Sequence, residues 1–119
     1  MRVLDASAVL AYLQGEPGSE QVGEQLGSSV ISAANLCEVL SKLQGDAEAK
    51  LGEAILLAQG VHVEPVLRED AWHASRLRES HPALSLGDRL CMALGARRGE
   101  TILTADRAWG ESDQIIQIR

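Results

Sequence analysis

At 119 residues, with 45% apolar and 24% charged side chains, the chain has the size and composition of one globular domain and is too apolar for disorder. No apolar run approaches the ~20 residues of a membrane span and the start carries no signal-peptide pattern, so the expected setting is the cytoplasm. The net charge of −6 argues, on its face, against a nucleic-acid partner.

In chain order, Val3-Leu4 reads as the end of a short buried strand, stopped by Asp5, and a helix follows to about Leu13. Gly15-Glu16-Pro17-Gly18 breaks the chain, and Ser19–Leu26 is a second helix ended by Gly27. Val30-Ile31 is a short strand, and Ser32 caps a helix to about Gln44. Ala47–Gln59 is another helix, ended by Gly60, and Val61–Val66 is rich in β-formers. Arg68–Glu79 is helical until His81-Pro82, and Ser85 caps a helix to about Arg98, closed by Gly99. Thr101–Thr104 and Ile115–Ile118 are the last strands. With no Phe and one Tyr, the core has to come from Leu, Val, Ile and Ala.

Short strands, apolar on both faces and alternating with helices, predict a single α/β domain over residues 1–119: a three-layer α/β/α sandwich with a short, mainly parallel sheet. Functional groups of such sheets collect at the carboxyl ends of the strands. Asp5 and Asp106 both fall just past predicted strands.

Each acid also has a plain local explanation. Asp5 suits a helix N-cap. Asp106, in Ile102-Leu103-Thr104-Ala105-Asp106, repeats that arrangement. Asp88, in Ser85-Leu86-Gly87-Asp88, resembles a capping box with Asp in the usual Glu place. Glu38 is harder: Leu36, Val39, Leu40 and Leu43 form one helical stripe, and Glu38 points roughly 150° from its centre, which predicts a solvent residue. Leu36, Leu40 and Leu43, with the helix Ala47–Gln59, serve the core first, with a homodimer surface or a partner groove as other uses.

Cys37 and Cys91 form neither a disulfide framework nor a zinc spacing and read as small buried hydrophobes. His62, His73 and His81 are scattered, with no metal pair at i,i+4. The bases are unevenly spread: residues 1–60 hold 8 acids and 3 bases, residues 61–119 hold 9 acids and 8 bases. Nine of the bases are Arg, whose planar fork suits phosphate, and Arg89, Arg97, Arg98 and Arg107 lie close in sequence. Solvated helix faces explain them equally well.

The ordered set Val3-Leu4-Asp5-Ala6-Ser7, Asn35-Leu36-Cys37-Glu38, Leu86-Gly87-Asp88-Arg89 and Leu103-Thr104-Ala105-Asp106 resembles the PIN-domain ribonucleases, and the chain's small size makes it similar to the VapC-type toxins among them. Ser7 and Thr104, each two residues from an aspartate, fit the pattern, as do Asn35, Arg89 and Trp109. The resemblance implies Mg²⁺- or Mn²⁺-dependent hydrolysis of RNA to a 5′-phosphate and a 3′-hydroxyl. Hard divalent cations take oxygen ligands, and crowded carboxylates need a cation to stay ionised together. It implies Asp5 and Asp88 as central ligands, Asp106 binding directly or through water, and Glu38 on a second ion or on the attacking water. Ser7, Asn35 and Thr104 would orient these groups, Arg89 would contact phosphate or partner a carboxylate, and Arg97, Arg98 and Arg107 would hold RNA elsewhere on the rim. A VapB-like antitoxin laid across the site and a homodimer are the implied partners.

Two other Mg²⁺-using α/β classes fit poorly. A haloacid-dehalogenase-like phosphatase needs a second acid where Ser7 stands. A receiver domain needs a late lysine, and the only lysines are Lys42 and Lys50. A catalytically inactive PIN-like module that binds RNA or protein is the nearest alternative, and a missing acid would favour it; none is missing. A binding module whose acids only cap helices is the other.

Overall fold

The computed structural model describes residues 1–119. Strand β1 (Arg2–Leu4) leads into α1 (Ala6–Gln14) and α2 (Ser19–Gln25), and after a 3-10 turn come β2 (Ser29–Ser32), α3 (Ala33–Lys42) and α4 (Gly45–Ala58). Then follow β3 (His62–Glu64), α5 (Arg68–Ser80), α6 (Leu86–Arg98), β4 (Thr101–Thr104), a 3-10 turn at Arg107–Trp109 and β5 (Ile115–Gln117). Each expected element is present. The β-rich run Val61–Val66 gives a strand of only three residues, because Pro65 has no N–H to continue the ladder.

Helix starts are set by side chains that accept the first free N–H groups. Asp5 accepts from Ala8 N, Ser32 from Ala34 N and Ser85 from Asp88 N. Helix α1 stops at Gly15, whose φ of 64° lies in the left-handed region that glycine enters without cost.

The sheet order is β3-β2-β1-β4-β5, and all four neighbouring pairs are parallel. The expected mainly parallel sheet is therefore wholly parallel. Successive strand residues serve opposite faces. Val3, Val30 and Ile102 join Cys91, Leu94, Trp109 and Ile115 on one side, while Leu4, Ile31 and Leu103 join Val9, Val22, Val39 and Leu56 on the other. Burial on both faces makes the three layers, and each fully buried Leu or Val contributes roughly 1.5–3 kcal/mol. Helix α6 lies against β1, β2 and β4, and α5 packs on α6. No helix is long and apolar enough to cross a membrane.

From β1 the chain runs first to β2 on one side and later to β4 on the other. The carboxyl ends of β1 and β4 therefore flank the topological switch point, where sheets of this type hold their ligands. Asp5 follows β1 directly and Thr104 ends β4.

Two details depart from expectation. Leu36 and Leu43 pack only at the margin of the larger apolar cluster, and with Leu40 they line an open groove of about 630 Å³ on the α3–α4 side. Cys37, expected to be buried, is exposed, whereas Cys91 is buried. Cys37 follows Leu36 on the groove side of α3, away from the line Asn35–Val39 that faces inward.

Candidate active site

Asp5 is 3% exposed, yet it is surrounded by donors. Ala8 N donates to its Oδ1 at 2.8 Å, Thr104 Oγ1 donates to its Oδ2, and Ser7 Oγ lies 2.8 and 2.9 Å from the two oxygens. The hydroxyls are themselves aimed. Ser7 Oγ accepts from Ala105 N at 2.8 Å and Thr104 Oγ1 from Asp106 N at 3.0 Å, which directs the hydroxyl protons to Asp5. The loop after β4 thus fixes the residue after β1. Ala8 N–H, Ser7 O–H and Thr104 O–H supply three protons against about four lone-pair sites on a carboxylate, leaving one site open. Burial pushes the Asp5 carboxyl up to about 6, the three hydrogen bonds pull it back, and the charge of Asp88 adds to the rise.

Asp88 and Glu38 reach the same end of the sheet from α6 and α3. Asp88 closes the capping box, its Oδ2 accepting from Ser85 N at 3.0 Å. Glu38 is not the solvent residue that its angle to the leucine stripe predicts. The inward line of α3 is Asn35 and Val39, 1% and 0% exposed, and Glu38 stands only roughly 80° from that line. Asn35 Nδ2 donates to Glu38 Oε1 at 2.7 Å and to Gly87 O at 3.1 Å, which joins α3 to the start of α6. Cys91, one turn after Asp88 on α6, is buried with its Sγ toward Leu4 O. Burial pushes its thiol well up, and the charges of Asp5, Asp88 and Glu38 push the same way.

Asp106 caps the 3-10 turn after β4, its Oδ1 accepting from Ala108 N at 2.9 Å. Trp109 anchors that turn in the apolar cluster, and Gln117 Nε2 holds its backbone through Asp106 O and Gly110 O, both at 2.9 Å. The capping explanation and the ligand explanation are thus compatible: Asp88, Asp106 and Glu38 each have one oxygen tied by a local donor, with no protein donor on the other.

The arginines separate. Arg97 and Arg98 sit in the last turn of α6, roughly 14 Å along the helix from Asp88 at 1.5 Å per residue, toward the opposite edge of the sheet. Arg97 binds Asp70 through Nε at 2.9 Å, and Arg98 binds Glu64 at 2.9 Å. Arg97 thereby ties α6 to α5, and Arg98 ties α6 to β3, so the two arginines expected to contact RNA are each engaged in an ion pair within the chain. Arg89 donates through Nη1 to Ala74 O at 2.8 Å and ties α6 to α5. Arg107, exposed beside Asp106 with no ion-pair partner, is the one that remains at the site's rim.

The donor chemistry suits a hard divalent cation: Asp5, Glu38, Asp88 and Asp106 offer oxygen only, with free lone pairs. Asn35 Oδ1 is a further buried oxygen without a partner. No three His, Cys, Asp or Glu side chains converge closely enough to enclose an ion by themselves. A Mg²⁺ ion held by these oxygens would need waters and substrate oxygens to complete its shell. The sequence pattern did not single out Gly87 or Cys91 for a role. A glycine at the second position of a helix, where alanine is the better former, is unusual, but it does not show that Glu38 fills the space beside Gly87.

The PIN domain family matches residues 2–113. Ribonuclease VapC42 from Mycobacterium tuberculosis is 31% identical over 114 residues, covering 85% of this chain and 87% of the relative. Among solved structures, a toxin–antitoxin complex from Klebsiella pneumoniae superposes with a TM-score of 0.81 at 15% identity, covering 100% of this chain and 98% of the other. Mycobacterium tuberculosis VapC20, a sarcin–ricin-loop-cleaving toxin, gives 0.70 at 20% identity, covering 95% and 92%. With its acids at the switch point of a parallel sheet and VapC ribonucleases as its relatives, this chain belongs to the PIN-domain family, in its VapC ribonuclease branch.

Proposed function

We propose that the protein is a divalent-metal-dependent endoribonuclease, the toxin of a toxin–antitoxin pair. The observation that supports this most is a set of acids with unshared carboxylate oxygens: Asp5 at the carboxyl end of β1, and Glu38 held by Asn35 against Gly87, next to Asp88. Asp5 and Asp88 would hold a Mg²⁺ or Mn²⁺ ion, with Asp106 completing the set directly or through water. A bound ion would neutralise the cluster, polarise the scissile phosphate and lower the pKa of bound water.

The remaining steps belong to the chain. Ser7 and Thr104 keep Asp5 ionised and aimed. Glu38, with Oε2 unengaged, would bind a second ion or, through an ion-bound water, orient the attacking water and receive its proton. Water adds at phosphorus and the P–O3′ bond breaks, leaving a 3′-hydroxyl on one fragment and a 5′-phosphate on the other. Arg107 contributes a phosphate contact at the rim.

An antitoxin partner is supported by the structural neighbours, which include the Klebsiella complex and a DNA-bound VapBC assembly from Salmonella typhimurium. A homodimer in the cytoplasm completes the reading. The test uses wild type, Asp5→Asn and Asp88→Asn on RNA with Mn²⁺ or with EDTA. Wild type cleaves only with metal and arrests growth on expression; both variants stay folded and lose both effects. Equal cleavage by all three proteins refutes the assignment.

A further inference from the structure

The Glu38 carboxylate occupies the space where a side chain would begin at residue 87. A Cβ built on Gly87 would fall 2.6 Å from Glu38 Cδ and 2.9 Å from Oε2, and nearer still to Oε1. The backbone does not call for glycine here: Gly87 is absent from the glycines with positive φ, and it lies inside α6, where alanine is favoured by up to ~1 kcal/mol. The absent side chain is what the site uses.

Asn35 closes the other side. Its Nδ2 grips Glu38 Oε1 and Gly87 O together, and its own Oδ1 is buried without a partner. An unpaired buried acceptor costs roughly 1–3 kcal/mol, so stability alone does not account for an amide here.

We propose that Gly87 is a positioning residue: its bare α-carbon and the Asn35 amide form a socket that holds the Glu38 carboxylate beside Asp88. This rests on the nuclease reading above. In Gly87→Ala the new methyl group evicts the carboxylate, which is the mobile end of a flexible side chain, and the fold keeps its packing.

The experiment titrates Mn²⁺ into metal-free protein by calorimetry and measures RNA cleavage, with thermal melting as the control. Gly87→Ala melts no lower than wild type but loses about 10–100-fold in Mn²⁺ affinity and in cleavage, the range seen when a supporting group around a metal ligand is removed. Asn35→Ala, which leaves residue 87 bare but frees the carboxylate, shows a loss of the same kind. In a Glu38→Asp background the shorter side chain clears the added methyl, so Gly87→Ala costs less than about 3-fold more. Folded Gly87→Ala or Asn35→Ala with wild-type Mn²⁺ affinity and cleavage overturns the socket alone. A wild-type protein that takes up no Mn²⁺ and shows no metal-dependent cleavage overturns both the socket and the reading beneath it.

Discussion

Replacing Asp5 with Asn should make the metal-free protein more stable at neutral pH while removing its activity. Burial raises the Asp5 carboxyl from 3.8 to about 6, a shift of about 2 units and so worth ~3 kcal/mol. The folded state binds this proton more tightly than the unfolded state. The resulting stabilisation is complete below the unfolded value and is lost as pH rises through about 6. At pH 7.5 without metal, the ionised group therefore costs ~3 kcal/mol relative to a neutral one. Asn removes that cost but returns ~1–2 kcal/mol of it, because its Nδ2 replaces an acceptor that Thr104 or Ser7 now uses. The net gain is ~1–2 kcal/mol at pH 7.5; at pH 4.5, still above the unfolded value of 3.8, only about a third of the cost is left and the difference falls to about zero or to a loss of up to ~1 kcal/mol. Urea unfolding of both proteins in EDTA, stepped from pH 4.5 to 8, measures the difference. Other carboxylates titrate in both proteins and largely cancel. A difference that stays flat across this range refutes the reasoning, since burial of an ionised Asp5 would then carry no cost.

Thr104→Val and Ser7→Ala each remove a donor that holds Asp5 ionised. Both should move the acidic limb of the pH–rate profile upward and lower cleavage about 10-fold, with unchanged profiles counting against the donor role. Arg97→Ala strips Asp70, 3% exposed, of its guanidinium and should lower stability by roughly 1–3 kcal/mol while folded protein cleaves RNA normally. Arg107→Ala should do the reverse, raising KM with little change in melting temperature. Parallel melting curves and steady-state kinetics separate the two residues, and an Arg97→Ala protein with normal stability and raised KM would restore Arg97 to the site.

The elements were legible because their boundaries are local chemistry: Ser32, Ser85 and Gly99 start and stop helices whatever surrounds them. The Asp5 arrangement was legible as well, since a strand end at a sheet's switch point is readable from alternation alone. Glu38 was not. The leucine stripe lines a groove and only edges the core, so the angle was measured from the wrong face of α3. Arg97 and Arg98 were grouped with Arg89 and Arg107 by nearness in sequence, which cannot show that Asp70 and Glu64 engage them from other elements. Gly87 lay outside any one-dimensional reading, because its role depends on a side chain 49 positions earlier.

The carboxylates' attachment to helix starts has an electrical consequence. Asp5 precedes α1, Asp88 lies in the first turn of α6, and Glu38 is held by Asn35 from the first turn of α3. Each of these helix beginnings carries a partial positive charge of roughly half a unit from its aligned peptides. Two macrodipoles therefore act on Asp5 and Asp88 as a permanent counter-charge supplied by the backbone itself, while Glu38 stands one turn further into its helix. This counter-charge is present whether or not a cation is bound, and it offsets part of the mutual repulsion of the acids as the fold forms.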